Sequence, residues 1–253
     1  MQVLFLDAPY AGKVELCKET LQYLKKKQYA TVALYASVQF VNQLERVREQ
    51  LKEAGITAVT SDADRTHVKG QLLGCDNYHY SLNLNVDVDC YLYVGDGKFH
   101  PLALVYAQKD QEKMKEIVCN DPIQEKMVLL GVEDIKTILK KYCGSLVKFL
   151  SSSIVGVIVT IKPGQEQFRP ALALEKKYPD KKFYYFIDNV VSFDQLENFN
   201  FIEVWVNTAC PRVGFDDQEK FKRGVINLND ALQAAEMLGT ESVMVKLKKV
   251  DVF

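Results

Sequence analysis

The sequence predicts an α/β protein: two related βαβ-type units with mainly parallel sheets, preceded by the last strand and connector helix of a missing first unit. Three observations carry this reading. Short runs rich in β-branched and aromatic residues alternate with segments of helical apolar spacing, the same order of elements occurs twice, and the opening strand and helix copy the pair that joins the two repeats.

Taken in order, Val3-Leu-Phe-Leu6 is a strand ending in Asp7-Ala8-Pro9, and a helix with Val14, Cys17, Leu21 and Leu24 on one face follows. Thr31–Tyr35 is the next strand. The helix after it carries Val38, Val41, Leu44, Val47, Leu51 and Ala54 and stops at Gly55, and Ile56–Thr60 returns as a strand. The irregular stretch Ser61–Asn85 contains Gly70-Gln-Leu-Leu-Gly-Cys75. Strand Cys90–Val94 runs into Gly95-Asp-Gly-Lys-Phe-His-Pro101, whose glycines let backbone amides turn toward a ligand. Strand Glu116–Cys119 closes at Asn120-Asp121-Pro122, and Val132, Ile135, Ile138, Leu139 and Tyr142 mark a connector helix.

The order then repeats. Strand Ile154–Thr160 leads through Lys162-Pro-Gly-Gln165 into a helix ending near Tyr178-Pro179, strand Phe183–Ile187 ends at Asp188-Asn189, and strand Phe201–Val206 leads to Cys210. A helix from about Asn229 to Leu238 and a last strand, Ser242–Val245, complete it. The expected domains are therefore residues 1–28 (terminal strand and connector of an absent unit), 29–149 (an α/β unit with Cys75 and its connector) and 150–253 (a second unit with Cys210). Either the preceding unit was lost or another polypeptide supplies it.

Acids and bases nearly balance, 33 against 32, and are interspersed, so nothing points to a nucleic-acid groove or an anionic membrane surface. No run approaches the roughly 18 apolar residues of a membrane span and no signal peptide opens the chain, which predicts a cytoplasmic protein. The six cysteines, at 17, 75, 90, 119, 143 and 210, form no C-x-x-C and no zinc spacing with histidine. Any metal site must be assembled from distant loops. Cys210, in Asn207-Thr-Ala-Cys-Pro-Arg212, stands where a buried strand stops, at the rim where ligands collect in open α/β sheets. The alternative for Cys210 is a small buried hydrophobe.

Gly70-Gln-Leu-Leu-Gly-Cys75, Val94-Gly-Asp-Gly-Lys-Phe-His-Pro101, Ile161-Lys-Pro-Gly-Gln165 and Ala209-Cys-Pro-Arg-Val213, in this order and spacing, resemble the archaeal diphthamide synthase family, 2-(3-amino-3-carboxypropyl)histidine synthase. The resemblance implies three related units, each placing one cysteine at the centre to hold a [4Fe-4S] cluster with one iron open to substrate. It implies S-adenosylmethionine as co-substrate, cleaved by an electron in radical chemistry between sulfur and the γ-carbon. The 3-amino-3-carboxypropyl group then goes to a histidine of translation elongation factor 2, the first step of diphthamide formation.

By that resemblance Cys75 and Cys210 are the second and third cluster ligands. Arg212 either supplies positive charge to the thiolate or pairs with the methionine carboxylate, the alternative being a surface salt bridge. Gly95, Asp96 and Gly97 cradle the methionyl or ribose part, and His100 orients that loop or touches ligand. Gly164 and Gln165 open a helix whose amides favour a carboxylate. Asp188 and Asn189 line the same pocket or form a strand-ending Asx turn. His67 and His79 are loop residues, and Cys17, on an apolar helix face, is no replacement for the absent first cysteine. The implied partners are the elongation factor, an electron donor, and a second chain carrying the missing unit, which would make a hetero-oligomer, or else self-association. The other reading is a non-catalytic partner or scaffold subunit of the synthase complex.

Overall fold

The computed structural model describes residues 8–66, 68–162 and 164–249. They divide into two compact units, one running through Gln108 and including Lys113–Asp134, the other made of Lys109–Glu112 and residues from Ile135 onward.

In the first unit α1 (Lys18–Lys26) precedes β1 (Thr31–Ala36), α2 (Val38–Val41), α3 (Glu45–Glu53), β2 (Thr57–Val59), β3 (Cys90–Val94), α4 (Leu102–Ala107), β4 (Ile117–Asp121) and β5 (Lys126–Leu130). The sheet order is β2-β1-β3-β4-β5, with β5 alone antiparallel. β1 and β3 are buried on both faces, which is why they read as unbroken apolar runs. Val32, Leu34, Leu92 and Val94 join Leu24, Phe40, Val47 and Leu51 in one core cluster.

The long helix α5 (Val132–Ser151) opens in the first unit and continues into the second. There follow β6 (Ile154–Thr160), α6 (Phe168–Ala171), α7 (Ala173–Lys177), β7 (Lys182–Asp188), α8 (Phe193–Leu196), β8 (Val204–Asn207), α9 (Pro211–Asp216), β9 (Val225–Asn227), α10 (Leu228–Leu232), α11 (Ala234–Leu238) and α12 (Val243–Lys249). The sheet is all parallel in the order β7-β6-β8-β9. Counting from each unit's first strand, the parallel strands of both sheets run 2-1-3-4, with the switch in strand order between the first and third strands. A crevice outside the carboxyl ends of those two strands is the expected place for ligands in such sheets. Close packing holds the second sheet together: a Cβ on Gly156 would lie 2.3 Å from the ring of Trp205, so only glycine admits that indole.

Several elements differ from expectation. Residues 242–245 form no strand; they open helix α12, whose first N–H groups at Val243 and Met244 donate to the carbonyls of Gln111 and Lys109. The β-branched Val-Met-Val run is helical because those carbonyls satisfy its otherwise orphaned donors. Two strands lacked a sequence signal. β9 is only three residues long, and β5 has an exposed outer face with a turn at Asp121–Gln124, its carboxylate accepting from the amides of Ile123 and Gln124. The strand expected over Phe201–Val206 begins only at Val204 and ends at Asn207. The helix expected across 38–54 is two helices, and so is the one across 229–238. The expected strand Val3–Leu6 with its Asp7 end, together with His67 and Pro163, lies outside the described residues.

Candidate functional site

At the rim of the first unit, the chain after β2 comes back to the end of β1. Ala36 N–H donates to Gly70 O at 2.8 Å, and Leu72 N–H donates to Ala36 O at 2.9 Å. Gly70 takes φ +81°, a conformation that side-chain-bearing residues rarely adopt. This short parallel bridge sets the segment leading to Gly74 and Cys75 beside the end of β1. From the far side, the loop after β3 closes on them: a Cβ on Gly74 would stand 2.2 Å from the ring of Phe99. Phe99 meets His100 edge to face at 5.4 Å. Within that loop Gly95 N–H donates to Asn120 O at 3.0 Å, Gly97 has φ +66°, and Asp96 is exposed. The first unit thus gathers Cys75 with Gly95, Asp96, Gly97 and His100, whose Gly-rich and Phe-His-Pro signals lie about 20 residues from the cysteine in sequence.

Two residues missed by sequence reasoning follow directly. Asp76 is buried with one oxygen, Oδ2, accepting from Leu73 N–H at 2.8 Å and the other, Oδ1, without a protein partner. Asn77 is fully buried, and among the described residues neither its amide nitrogen nor its oxygen has a partner. Such groups are costly unless a ligand or water meets them, and an amide N–H beside a thiolate is the kind of donor that tunes an iron–sulfur centre. The only sequence signal was their place immediately after the cysteine.

Burial raises the Asp76 carboxyl from 3.8 to about 6, partly opposed by the Leu73 amide. A folded-state pKa above the unfolded one means stability is fully present below about pH 4 and falls as pH rises through about 6. The window is therefore pH 4 to 6. Asp76→Asn, which keeps the acceptor for Leu73 N–H and cannot ionise, is expected to abolish this dependence and raise stability at pH 7 by roughly 2–3 kcal/mol. Urea unfolding followed by circular dichroism at pH 4 and pH 7 measures it.

At the rim of the second unit, Cys210 is the N-cap of α9, with φ −60° and ψ 125°, and Pro211 occupies the first helical position. The Cys-Pro step holds the cysteine extended, so the strand ends and the thiol stands at the sheet rim. Arg212 is buried and forks onto Asp216 through Nε at 2.7 Å and Nη2 at 2.6 Å. Asp188 ends β7 paired in register with Thr160, and its Oδ1 accepts from the amides of Asn189 and Val190. An Asx turn thus occupies this strand end, with Asp188 and Asn189 both exposed. Gly164 and Gln165 do not open a helix. Gly164, with φ +77°, lies in a turn closed by Gln165 N–H to Lys162 O at 3.0 Å, and α6 starts only at Phe168. Arg169-Pro170 follow directly, and the resulting helix has a single turn.

The cysteines separate by burial. Cys90, Cys119 and Cys143 are buried; desolvation pushes the first two up to about 12 and raises the third, which holds them as thiols. Cys75 and Cys210 are partly exposed, as the reactive or ligating form requires. So is Cys17, but it sits before α1 rather than inside it, with Sγ 3.1 Å from Thr20 Oγ1 and its N–H on Asn120 Oδ1. His79, in a short 3-10 turn, is exposed. Among the described residues no group of three His, Cys, Asp or Glu side chains could hold a metal ion. Taken unit by unit, the chemistry of Cys75 in the first and of Cys210 in the second, each a partly exposed thiol, suits an iron–sulfur ligand.

The model of a family described as "Putative diphthamide synthesis protein" matches residues 1–242. The chain belongs to this diphthamide synthesis family. A member from Pyrococcus horikoshii, named 2-(3-amino-3-carboxypropyl)histidine synthase, is 30% identical over 216 residues, which cover 84% of this chain and 59% of the relative. Subunit 1 of the synthase from Yarrowia lipolytica is 23% identical over 214 residues, 82% of this chain and 46% of that protein. The crystal structure of Dph2 from Pyrococcus horikoshii with a 4Fe-4S cluster superposes with a TM-score of 0.73 at 26% identity, covering 92% of this chain and 66% of that one. The chain therefore spans about three-fifths of the curated Pyrococcus relative's length. No helix of the described residues is long and apolar enough to cross a membrane.

Proposed function

We propose that this diphthamide-family chain is a subunit of an iron–sulfur transferase that moves the 3-amino-3-carboxypropyl group of S-adenosylmethionine to a histidine of translation elongation factor 2. A partner chain would contribute the first unit and the third cluster cysteine. One observation carries the reading: two units whose parallel strands run in the same order each hold a partly exposed cysteine, Cys75 or Cys210, in the turn of a family-like motif, while Cys90, Cys119 and Cys143 are buried and held protonated. When bound, a [4Fe-4S] cluster supplies the electron that cleaves the bond from sulfur to the γ-carbon.

The residues of this chain would bind and orient. Cys75 and Cys210 give thiolates. The exposed carboxylate of Asp96 accepts from a hydroxyl or ammonium group of the co-substrate, and Gly95 and Gly97 let the backbone come close to it. His100 acts through the loop whose Phe99 ring packs on Gly74. In the second unit, Gly164, Gln165, Asp188 and Asn189 stand in turns after β6 and at the end of β7, where the Gln165 and Asn189 side-chain amides and the Asp188 carboxylate would meet a polar ligand group. Arg212, engaged by Asp216, adds positive charge two residues from the Cys210 thiolate.

The test is transfer of label from the aminocarboxypropyl part of S-adenosylmethionine to elongation factor 2, under reducing anaerobic conditions, with this chain and its co-purified partner. Labelled factor is expected only when both are present. Unlabelled factor with both present, alongside an active archaeal synthase control, would refute the reading. A second reading is favoured by the lack of a three-ligand group among the described residues: a non-catalytic subunit that stabilises a complete synthase. It predicts that Cys75→Ala and Cys210→Ala leave labelling unchanged.

A further inference from the structure

Two buried asparagines hold the turn that carries Cys210. Asn207 ends β8 and Asn227 ends β9; they are partners in the parallel register, so their side chains emerge on the same face of the sheet. Asn207 Oδ1 accepts from Ala209 N–H at 3.1 Å. Its Nδ2 donates both to Cys210 O at 2.9 Å and to Asn227 Oδ1 at 2.8 Å. Asn227 Nδ2 then donates to Pro211 O at 3.0 Å. The pair thus grips the backbone on both sides of the cysteine, and a Cβ on Gly214 would come within 2.1 Å of Asn227 Oδ1, so α9 packs directly on the clamp. Behind it, Asn227 N–H donates to the Tyr142 hydroxyl at 2.8 Å, and that hydroxyl donates to the buried Asp230 carboxylate.

This is more polar hardware than a strand end needs. Pro211 itself has no N–H to hold the turn, and the two side-chain amides add donors to the carbonyls of residues 210 and 211, the first of which also accepts from Val213 N–H at 3.0 Å. A ligating thiolate works only if its direction is held by supporting groups.

We propose that Asn207 and Asn227 are positioning residues for Cys210, acting through the backbone of residues 209–211 to fix the direction and environment of its thiol. The functional weight of this assignment rests on Cys210 being a cluster ligand, but its test does not. Folded, metal-free chain is alkylated with iodoacetamide between pH 6 and 9, and each cysteine is followed separately by peptide mass spectrometry. Cys75 serves as the reference in the other unit and buried Cys143 as the reporter of opening in the second.

In Asn207→Ala and Asn227→Ala, the Cys210 rate at pH 7.5 is expected to change by about threefold or more, because the backbone that aims the thiol is released. Its pH profile should move, Cys75 should keep its rate, and Cys143 should stay protected. Thr208→Val removes an equally buried hydrogen bond of the same turn, Thr208 Oγ1 to Ile158 O at 2.8 Å, without touching the clamp, and should leave Cys210 unchanged. The proposal is overturned if Cys210 is unmoved in both asparagine variants, if Thr208→Val moves it equally, or if Cys143 becomes reactive along with it. Cluster reconstitution of the unaltered chain is scored separately, so failure there removes the ligand role of Cys210 while leaving the alkylation result standing.

Discussion

Lys109→Met is expected to lower the stability of the second unit by about 3–5 kcal/mol. The ammonium is fully buried, 3.1 Å from Asp230 Oδ1, and also paired with the half-exposed Asp110. Burial pulls the lysine pKa down, but the carboxylates of Asp230 and Asp110 together raise it, so it stays charged. Burial pushes Asp230 up toward the neutral acid, and the Lys109 ammonium is the main group opposing that. Removing it takes the cationic partner from the buried Asp230, which keeps the bond from the Tyr142 hydroxyl. The loss is that of a buried acid deprived of its ammonium, so Lys109→Met/Asp230→Leu, which removes both groups, should recover much of it. Trp205 is the chain's single tryptophan and lies in the second unit, so its fluorescence during urea unfolding reports this unit alone. A loss below about 1 kcal/mol, as exposed ion pairs give, would mean that the pair is hydrated in solution.

Cys75→Ala and Cys210→Ala are each expected to abolish transfer from S-adenosylmethionine to elongation factor 2 in the assembled complex, while Cys119→Ala leaves it within about twofold. The contrast follows from burial. Cys119, on β4, is desolvated and held as a thiol, so it contributes packing volume and no ligand. Cys75 and Cys210 each sit where a turn, rather than a ladder, holds the backbone, and a cluster bound through three thiolates loses a third of its protein ligands with either one. Comparable loss in all three variants would indicate a packing effect. No loss in any would favour the scaffold reading. Circular dichroism of each variant separates folding from chemistry.

The sheets were legible where burial is two-sided. β1, β3 and β6 are continuous apolar runs because both faces are covered, and such runs need no partner to be recognised in sequence. Short or one-sided elements were not. β9 holds three residues, β5 shows its outer face to solvent, and α12 takes its first hydrogen bonds from the carbonyls of residues more than 130 positions earlier.

The site was legible in its backbone signals: Gly70 at positive φ, Gly97 in the loop after β3, and Pro211 behind Cys210 each require a specific local conformation. Its polar support was not, since the bond from Asn207 to Asn227 joins neighbours in the sheet that are 20 positions apart in the chain. The helix expected at Gly164-Gln165 failed for a local reason, the turn closed on Lys162. Arg212 reads from sequence as a charge two residues from a thiol, and only the fold shows Asp216 under its fork.

The proposed function assigns Cys75 and Cys210 as cluster ligands. The most direct measurement is anaerobic reconstitution with iron and sulfide of the chain co-purified with its partner, read by charge-transfer absorption and by iron content. An absorbing complex that loses most of its iron in Cys75→Ala and again in Cys210→Ala is the predicted result. A double variant that retains the centre, or an unaltered complex that never acquires one, would contradict it.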